Sequence, residues 1–155
     1  MITTPIYCLG FAFDNTQEGS QDIGLANVAL IEKIKPTWQA GRLNGIGGMI
    51  EDFDREDCGA SRAGLNAMVR EFQEETGYQT EISDWKHFHT MGSEKWQVEC
   101  FKSFGLPLHQ LKTTTEEQVT VVNAYDLPEH VLFNLRWLIP LALDPQPMPT
   151  MQVYR

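Results

Sequence analysis

Glu71, Glu74 and Glu75 place three carboxylates within the stretch Arg70-Glu71-Phe72-Gln73-Glu74-Glu75-Thr76-Gly77. Read as a helix, the i, i+3, i+4 spacing turns all three to one side. Negative charge near a helix C-terminus costs about 0.3–1 kcal/mol per group. Like charges one turn apart repel by roughly a few tenths of a kcal/mol. A hard divalent cation with oxygen ligands removes both penalties. A solvated acidic face is the alternative that the three glutamates by themselves leave open. Arg70 is placed to pair with one of these carboxylates and hold its rotamer.

The residues upstream bear on that choice. Asn44-Gly45-Ile46-Gly47-Gly48-Met49-Ile50-Glu51 precedes the helix. Gly47-Gly48 lets backbone atoms approach a ligand or metal closely. Gly48, Glu51 and Arg70-Glu71-Phe72-Gln73-Glu74-Glu75-Thr76-Gly77-Tyr78 together resemble the Nudix box. That pattern runs Gly, five residues, Glu, seven residues, Arg-Glu-aliphatic-x-Glu-Glu-x-Gly-aliphatic. The second half matches at every charged and glycine position, with Phe72 and Tyr78 keeping the apolar character. The first half departs from it. Between Gly48 and Arg70 lie 21 residues, eight more than the pattern has. Arg62 stands where the box has its first Glu. The extra residues fall within 52–60, and Glu56 or Asp57 is expected to stand in for the missing Glu, which in the family supports the loop and helix.

The resemblance implies a Mg²⁺-dependent hydrolase, with Mn²⁺ as a substitute, that splits the phosphoanhydride of a nucleoside diphosphate linked to another moiety. The Mutator-T type suggests a nucleoside triphosphate or an oxidised nucleotide; nucleotide sugars, ADP-ribose and dinucleotides also fit. By the same resemblance, Glu71, Glu74, Glu75 and the Gly48 carbonyl are metal ligands, and Glu51 is a weaker candidate. Arg70 and the three glutamates carry the catalytic role. Glu116 or Glu117 is a candidate base; a solvated turn explains both equally well. Arg42, Gly47 and Trp38 are candidate substrate contacts. Lys33 and Lys35 are further phosphate candidates, and Trp85 and Trp96 are further stacking candidates. For each of these, ordinary loop or packing positions are the alternative. A noncatalytic Nudix-like module that binds a nucleotide or protein is the rival reading, motivated by Arg62 and the eight-residue insertion.

Composition bounds the class. The chain has 155 residues, 42% hydrophobic and 21% charged, which suits one globular domain. A net charge of −9 argues against nucleic-acid polymers and anionic membranes as partners. Cys8, Cys58 and Cys100 form no CxxC pair, so neither a zinc site nor a disulfide framework is indicated. A reducing, cytoplasmic setting follows, with no secretion signal and no membrane span. A homodimer through apolar residues near the C-terminus is open, as is a monomer.

The elements that must position the carboxylates follow from periodicity. Strands are expected at Ile6 to Phe13, Asn27 to Ile34, within Trp38 to Ile50, Tyr78 to Ser83, Lys86 to Thr90, Trp96 to Phe104 and Gln118 to Ala124. His87 and His89 then share a strand face. A helix is expected from about Arg62 to Thr76, with Ser61 as N-cap, an apolar stripe of Leu65, Met68, Val69 and Phe72, and Gly77 as its stop. A second helix runs from Asn134 to Leu143, with Leu135, Leu138, Ile139 and Ala142 on one face. The segment 144–155 reads as an extended tail. The order of elements predicts an α+β fold, an α/β/α sandwich with a mixed β-sheet between helices; the same order resembles the Nudix fold.

Overall fold

The structure, a computed structural model, describes residues 3–15, 25–56 and 60–146. Seven strands and two helices alternate as β1 Ile6–Phe13, β2 Asn27–Glu32, β3 Leu43–Asn44, β4 Ile46–Met49, α1 Ala60–Thr76, β5 Lys86–Ser93, β6 Trp96–Ser103, β7 Val119–Asn123 and α2 Leu135–Leu143. The strand order is β3-β2-β1-β6-β5, with β4 also paired to β1 and β7 to β2. β1 runs parallel to β6 from Ile6↔Gln97 to Ala12↔Ser103 and antiparallel to β2 and β4. The sheet is therefore mixed. β6 occupies one whole edge of β1, so β4 and β2 must share the other, β4 beside residues 7–10 and β2 beside residues 12–13.

Alternation along β1 decides the layers. Leu9, Phe11 and Phe13 join Leu135, Leu138 and Ile139 of α2 in one core. Cys8 and Ala12 join Ala63, Ala67, Met68 and Phe72 of α1 in the other. One helix thus covers each face, as the sandwich requires. Phe11, Phe13, Leu135 and Leu138 are fully buried, each worth about 1.5–3 kcal/mol. The α2 face is the one expected from the sequence. On α1 the stripe is centred differently: Met68 and Phe72 are buried, but Ala63 and Ala67 complete the contact, and Leu65 and Val69 only flank it. Lys102 of β6 is buried and donates to the Ala142 carbonyl at 3.0 Å, satisfying one of the orphan carbonyls at the end of α2.

Gly77 stops α1 as expected, with φ 72° and its amide on the Gln73 carbonyl at 2.8 Å. Four sequence expectations are corrected. α1 begins at Ala60, so Ser61 lies inside the helix rather than capping it. Tyr78 to Ser83 is not a strand: Ile82–Asp84 forms a 3₁₀ turn in which Asp84 accepts the Glu81 amide at 2.7 Å. Trp85 is buried edge-on to Phe72, its Nε1 donating to Thr80 Oγ1 at 2.9 Å, so it is no stacking platform. His87 and His89 do not share a face. A bulge between them shifts the register, leaving His87 against Phe101 of the α1 side and His89 against Trp137 of α2. Cys58, Asp57 and residues 147–155 of the expected tail lie outside the described residues. No helix among the described residues is long and apolar enough to cross a membrane.

Candidate active site

The chain leaves β4 and enters a 3₁₀ turn at Asp52–Arg55 that closes with a reciprocal cap. Asp54 accepts the Glu51 amide at 2.8 Å, and the Glu51 side chain accepts the Asp54 amide. This turn aims Asp54 inward, where it is 4% exposed. Arg70, on the facing side of α1, meets it with a fork: Nε to Oδ1 at 3.0 Å and Nη2 to Oδ2 at 2.7 Å. Arg70 also donates to the Met49 carbonyl at 3.1 Å, and its guanidinium lies 5.0 Å from the Phe53 ring centre. One side chain thereby ties α1, the turn and the end of β4 together. The Asp54 hydrogen bonds hold the Arg70 pKa above its already high ordinary value.

The guanidinium also reaches the glutamates. Nη1 donates to Glu71 Oε1 at 2.7 Å and lies 3.4 Å from Glu74 Oε2. Burial pushes the Glu71 carboxyl up in pKa, against the opposing pull of Arg70. Glu71 packs onto Gly48: a Cβ there would stand 2.5 Å from Glu71 Oε1. Glu75 is the more perturbed group. Burial first, and the Glu71 charge second, push its pKa up to about 8, against Lys33 and the Gly47 amide. Its Oε2 is buried with no hydrogen-bond partner among the described residues.

A second tie comes from the far side. Lys33, just past β2, pairs with Glu117 at 2.8 Å, and Glu117 also accepts the Ile34 amide at 2.7 Å. Burial works against the Glu117 charge, but the Lys33 hydrogen bond and the Ile34 amide keep its pKa below the usual carboxylate value. On the α2 side of the sheet a cleft of about 660 Å³ runs over Gly47 and Gly48, with Lys33, Trp38, Lys95 and Trp96 on its walls. Such a volume suits a nucleotide-sized ligand.

The architecture has close counterparts among solved structures. A NUDIX hydrolase from Alicyclobacillus acidocaldarius superposes with a TM-score of 0.66 at 12% identity, over 95% of this chain and 94% of that one. A MutT NUDIX hydrolase from Burkholderia pseudomallei gives 0.63 at 14% identity, over 90% and 98%. The chain has the Nudix fold. A MutT/nudix family protein from Enterococcus faecalis gives 0.58 at 15% identity over 79% of this chain, which spans only 45% of that protein's length. No protein-family profile and no curated protein matches the sequence.

Within the Nudix fold, the box-like residues Gly47, Gly48, Arg70, Glu71 and Glu75 come together where β4 meets α1. Glu74 sits at the edge of the group, its side chain 57% exposed. Asp54 is the buried partner of Arg70 in this turn; Glu56, one of the two residues expected to stand in for the missing Glu, is exposed, the other, Asp57, lies outside the described residues, and Arg62 is exposed. Sequence reasoning missed Asp54, although its spacing of three residues from Glu51 is that of a reciprocal cap. Glu51 is exposed and commits its carboxylate to the turn, away from the role of ligand. Arg42 is exposed and is not among the residues lining the cleft, whereas Trp38 lines it. Glu116 is exposed; Glu117, held by Lys33 with a lowered pKa, is poorly suited to take a proton.

The donor set was tested against the implied cation. Among the described residues, no three His, Cys, Asp or Glu side chains stand together as a metal-holding group. Arg70 provides the reason, since its guanidinium draws Glu71 and Glu74 toward itself. Glu75 keeps a buried carboxylate oxygen with no hydrogen-bond partner, beside Glu71 and the Gly47 amide, where a cation would find a free acceptor. All these donors are oxygens, which suits Mg²⁺ or Mn²⁺. The chemistry of these donors fits such an ion, although Glu71 and Glu74 here face Arg70.

Proposed function

We propose that this chain is a Mg²⁺-dependent phosphoanhydride hydrolase acting on a nucleoside diphosphate linked to another moiety. The observation that carries the reading is Glu75, whose unpartnered Oε2 is buried beside Glu71, and Glu71 packs against Gly48, one of the residues lining a nucleotide-sized cleft. Glu71, Glu74, Glu75 and the Gly48 carbonyl would hold the ion. When bound, it supplies neutralisation of phosphate charge and lowers the pKa of water. The protein's own residues do the positioning. Arg70, anchored by Asp54, fixes the rotamer of Glu71. Glycine at 48 leaves room for the Glu71 carboxylate against the β4 backbone. Burial beside Glu71 favours the protonated form of Glu75 in the metal-free state, so ion binding there would release its proton.

A second reading, a noncatalytic nucleotide-binding module, draws on the Arg70 contacts that keep Glu71 and Glu74 from forming a ready metal group. One assay separates the two. Release of phosphate or pyrophosphate from a nucleotide panel is followed with MgCl₂ for the wild type and Glu75→Gln. The hydrolase turns over at least one substrate, and the variant falls by about 10²-fold or more. Nucleotide affinity without turnover favours the binding module, and equal rates in the two proteins remove Glu75 from the mechanism.

A further inference from the structure

We infer that residues 112–118 form a clasp that positions Glu74 and Glu75, fastened to α1 by Thr114 and to the end of β2 by the Lys33–Glu117 pair. The clasp itself is a matter of geometry; its purpose, holding carboxylates for an ion, rests on the hydrolase reading above. The last turn of α1 needs outside support. It carries Glu74 and Glu75 and no basic residue, so the helix dipole and the like charges both work to fray it. Its terminal carbonyls also lack partners from the helix backbone. Two bonds are local: Thr76 Oγ1 donates to the Phe72 carbonyl at 2.6 Å, and the Gly77 amide donates to the Gln73 carbonyl at 2.8 Å. The others come from the distant loop. The Thr114 hydroxyl, 40 positions on, donates to the Glu74 carbonyl, and the Lys112 amide donates to the Thr76 carbonyl at 3.0 Å. The Thr114 methyl lies against the helix stop: a Cβ on Gly77 would stand 3.3 Å from Thr114 Cγ2.

Three successive threonines divide the work. Thr113 Oγ1 accepts the Val119 amide at 3.0 Å and closes the loop onto β7. Thr114 turns to α1. Thr115 Oγ1 accepts the Glu117 amide at 3.2 Å. Glu117 in turn accepts from Lys33 at 2.8 Å and from the Ile34 amide at 2.7 Å, and the Gln118 carbonyl accepts the Glu32 amide at 2.8 Å. The loop therefore ties the end of α1 to the end of β2. Lys33 and Glu117 stand close enough to Glu75 for both charges to act on it. Glu74, one residue earlier, is held through its carbonyl by Thr114. Adjacent glutamates are thus steadied from the two ends of one loop, and Glu117 acts as a positioning residue, committed to Lys33, instead of as a base.

Thr114→Val keeps the shape of the side chain and removes the hydroxyl, whereas Thr114→Ser keeps the hydroxyl. Position 114 is exposed, so neither change opens the core. Binding of Mn²⁺ alone, followed by electron paramagnetic resonance, should weaken by about 3–10-fold in Thr114→Val and recover in Thr114→Ser. Amide exchange followed by NMR should accelerate by about the same factor at residues 74–78 and stay unchanged in β1 and β6. Glu117→Gln should slow turnover of the nucleotide that the wild type hydrolyses, and saturating Mn²⁺ should bring kcat back to within about threefold. Loss of a general base costs about 10²–10⁴-fold at any metal concentration. Unchanged Mn²⁺ affinity in Thr114→Val overturns the inference, as does a Glu117→Gln loss of about 10²-fold or more that saturating Mn²⁺ leaves in place. A wild type that binds no Mn²⁺ and cleaves nothing sinks the hydrolase reading instead. The clasp is then decided by exchange, supported by acceleration confined to residues 74–78 and overturned by its absence.

Discussion

Replacing Asp54 by Asn keeps the shape of the side chain and removes its charge and one of the two acceptors in the fork. Asp54 is 4% exposed and accepts from Arg70 Nε at 3.0 Å, Arg70 Nη2 at 2.7 Å and the Glu51 amide at 2.8 Å. Breaking a fully buried ion pair costs about 3–5 kcal/mol. Here Arg70 is 21% exposed at its side chain and keeps Glu71 and the Met49 carbonyl, so the loss is smaller. Counting two charge-assisted hydrogen bonds with partial compensation, we expect about 1–3 kcal/mol. At about 2–4 °C per kcal/mol for a chain of this size, Tm should fall by about 2–12 °C. Circular dichroism melts at neutral pH measure it. A cycle of Asp54→Asn, Arg70→Lys and the double variant should show a coupling of about 0.5–3 kcal/mol. Glu56→Gln, on an exposed carboxylate, serves as the control and should leave Tm in place. Released from Asp54, Arg70 should bind Glu71 and Glu74 more tightly, so hydrolysis should fall as well. An unchanged Tm and zero coupling would refute the claim that Asp54 anchors Arg70.

Four more outcomes follow from the same contacts. Gly48→Ala should fold, because the added methyl meets only the movable end of Glu71, but misplacing that carboxylate should lower kcat/KM by about 10–100-fold. Gly47→Ala instead meets the Cys8 carbonyl of β1 and should lower Tm, as seen in a thermal melt. The Glu75 pKa of about 8 lies above its unfolded value, so the folded state holds the extra proton. Metal-free stability should therefore fall as pH rises from about 4.5 to 8, and Glu75→Gln or MgCl₂ should flatten that slope in melts across pH. Glu117 has the opposite sign. Its depressed pKa stabilises the fold above about 4.5, and that stability is lost as pH falls through the folded value. Glu117→Gln should cost about 1–2 kcal/mol at pH 7 by urea titration, and that cost should shrink as pH falls through the folded value.

Much of the site was legible because it is local. The spacing of Glu71, Glu74 and Glu75 along α1 follows from 3.6 residues per turn, and Gly77 ends that helix because only glycine adopts φ 72° freely. The alternating residues of β1 and the apolar face of α2 likewise need nothing beyond the periodicity of strand and helix. Asp54 was missed because its role depends on a residue sixteen positions away, reached only after the 52–55 turn folds back on α1. Trp38 and Trp85 look alike in the sequence, yet one is exposed in the cleft and the other is sealed against Phe72. His87 and His89 were split by a bulge that pairing with β6 imposes.

The chain alone determined which residues carry charge, where the helices stop and which faces seek the core, since these are properties of neighbours within a turn or two. The tertiary structure alone decided the parallel pairing of β1 with β6, the choice of Asp54 over the exposed Glu56 as the partner of Arg70, and the isolation of the Glu75 oxygen. Those outcomes depend on burial and on long-range contacts, which set the local dielectric and the available partners, and neither exists until the layers have packed.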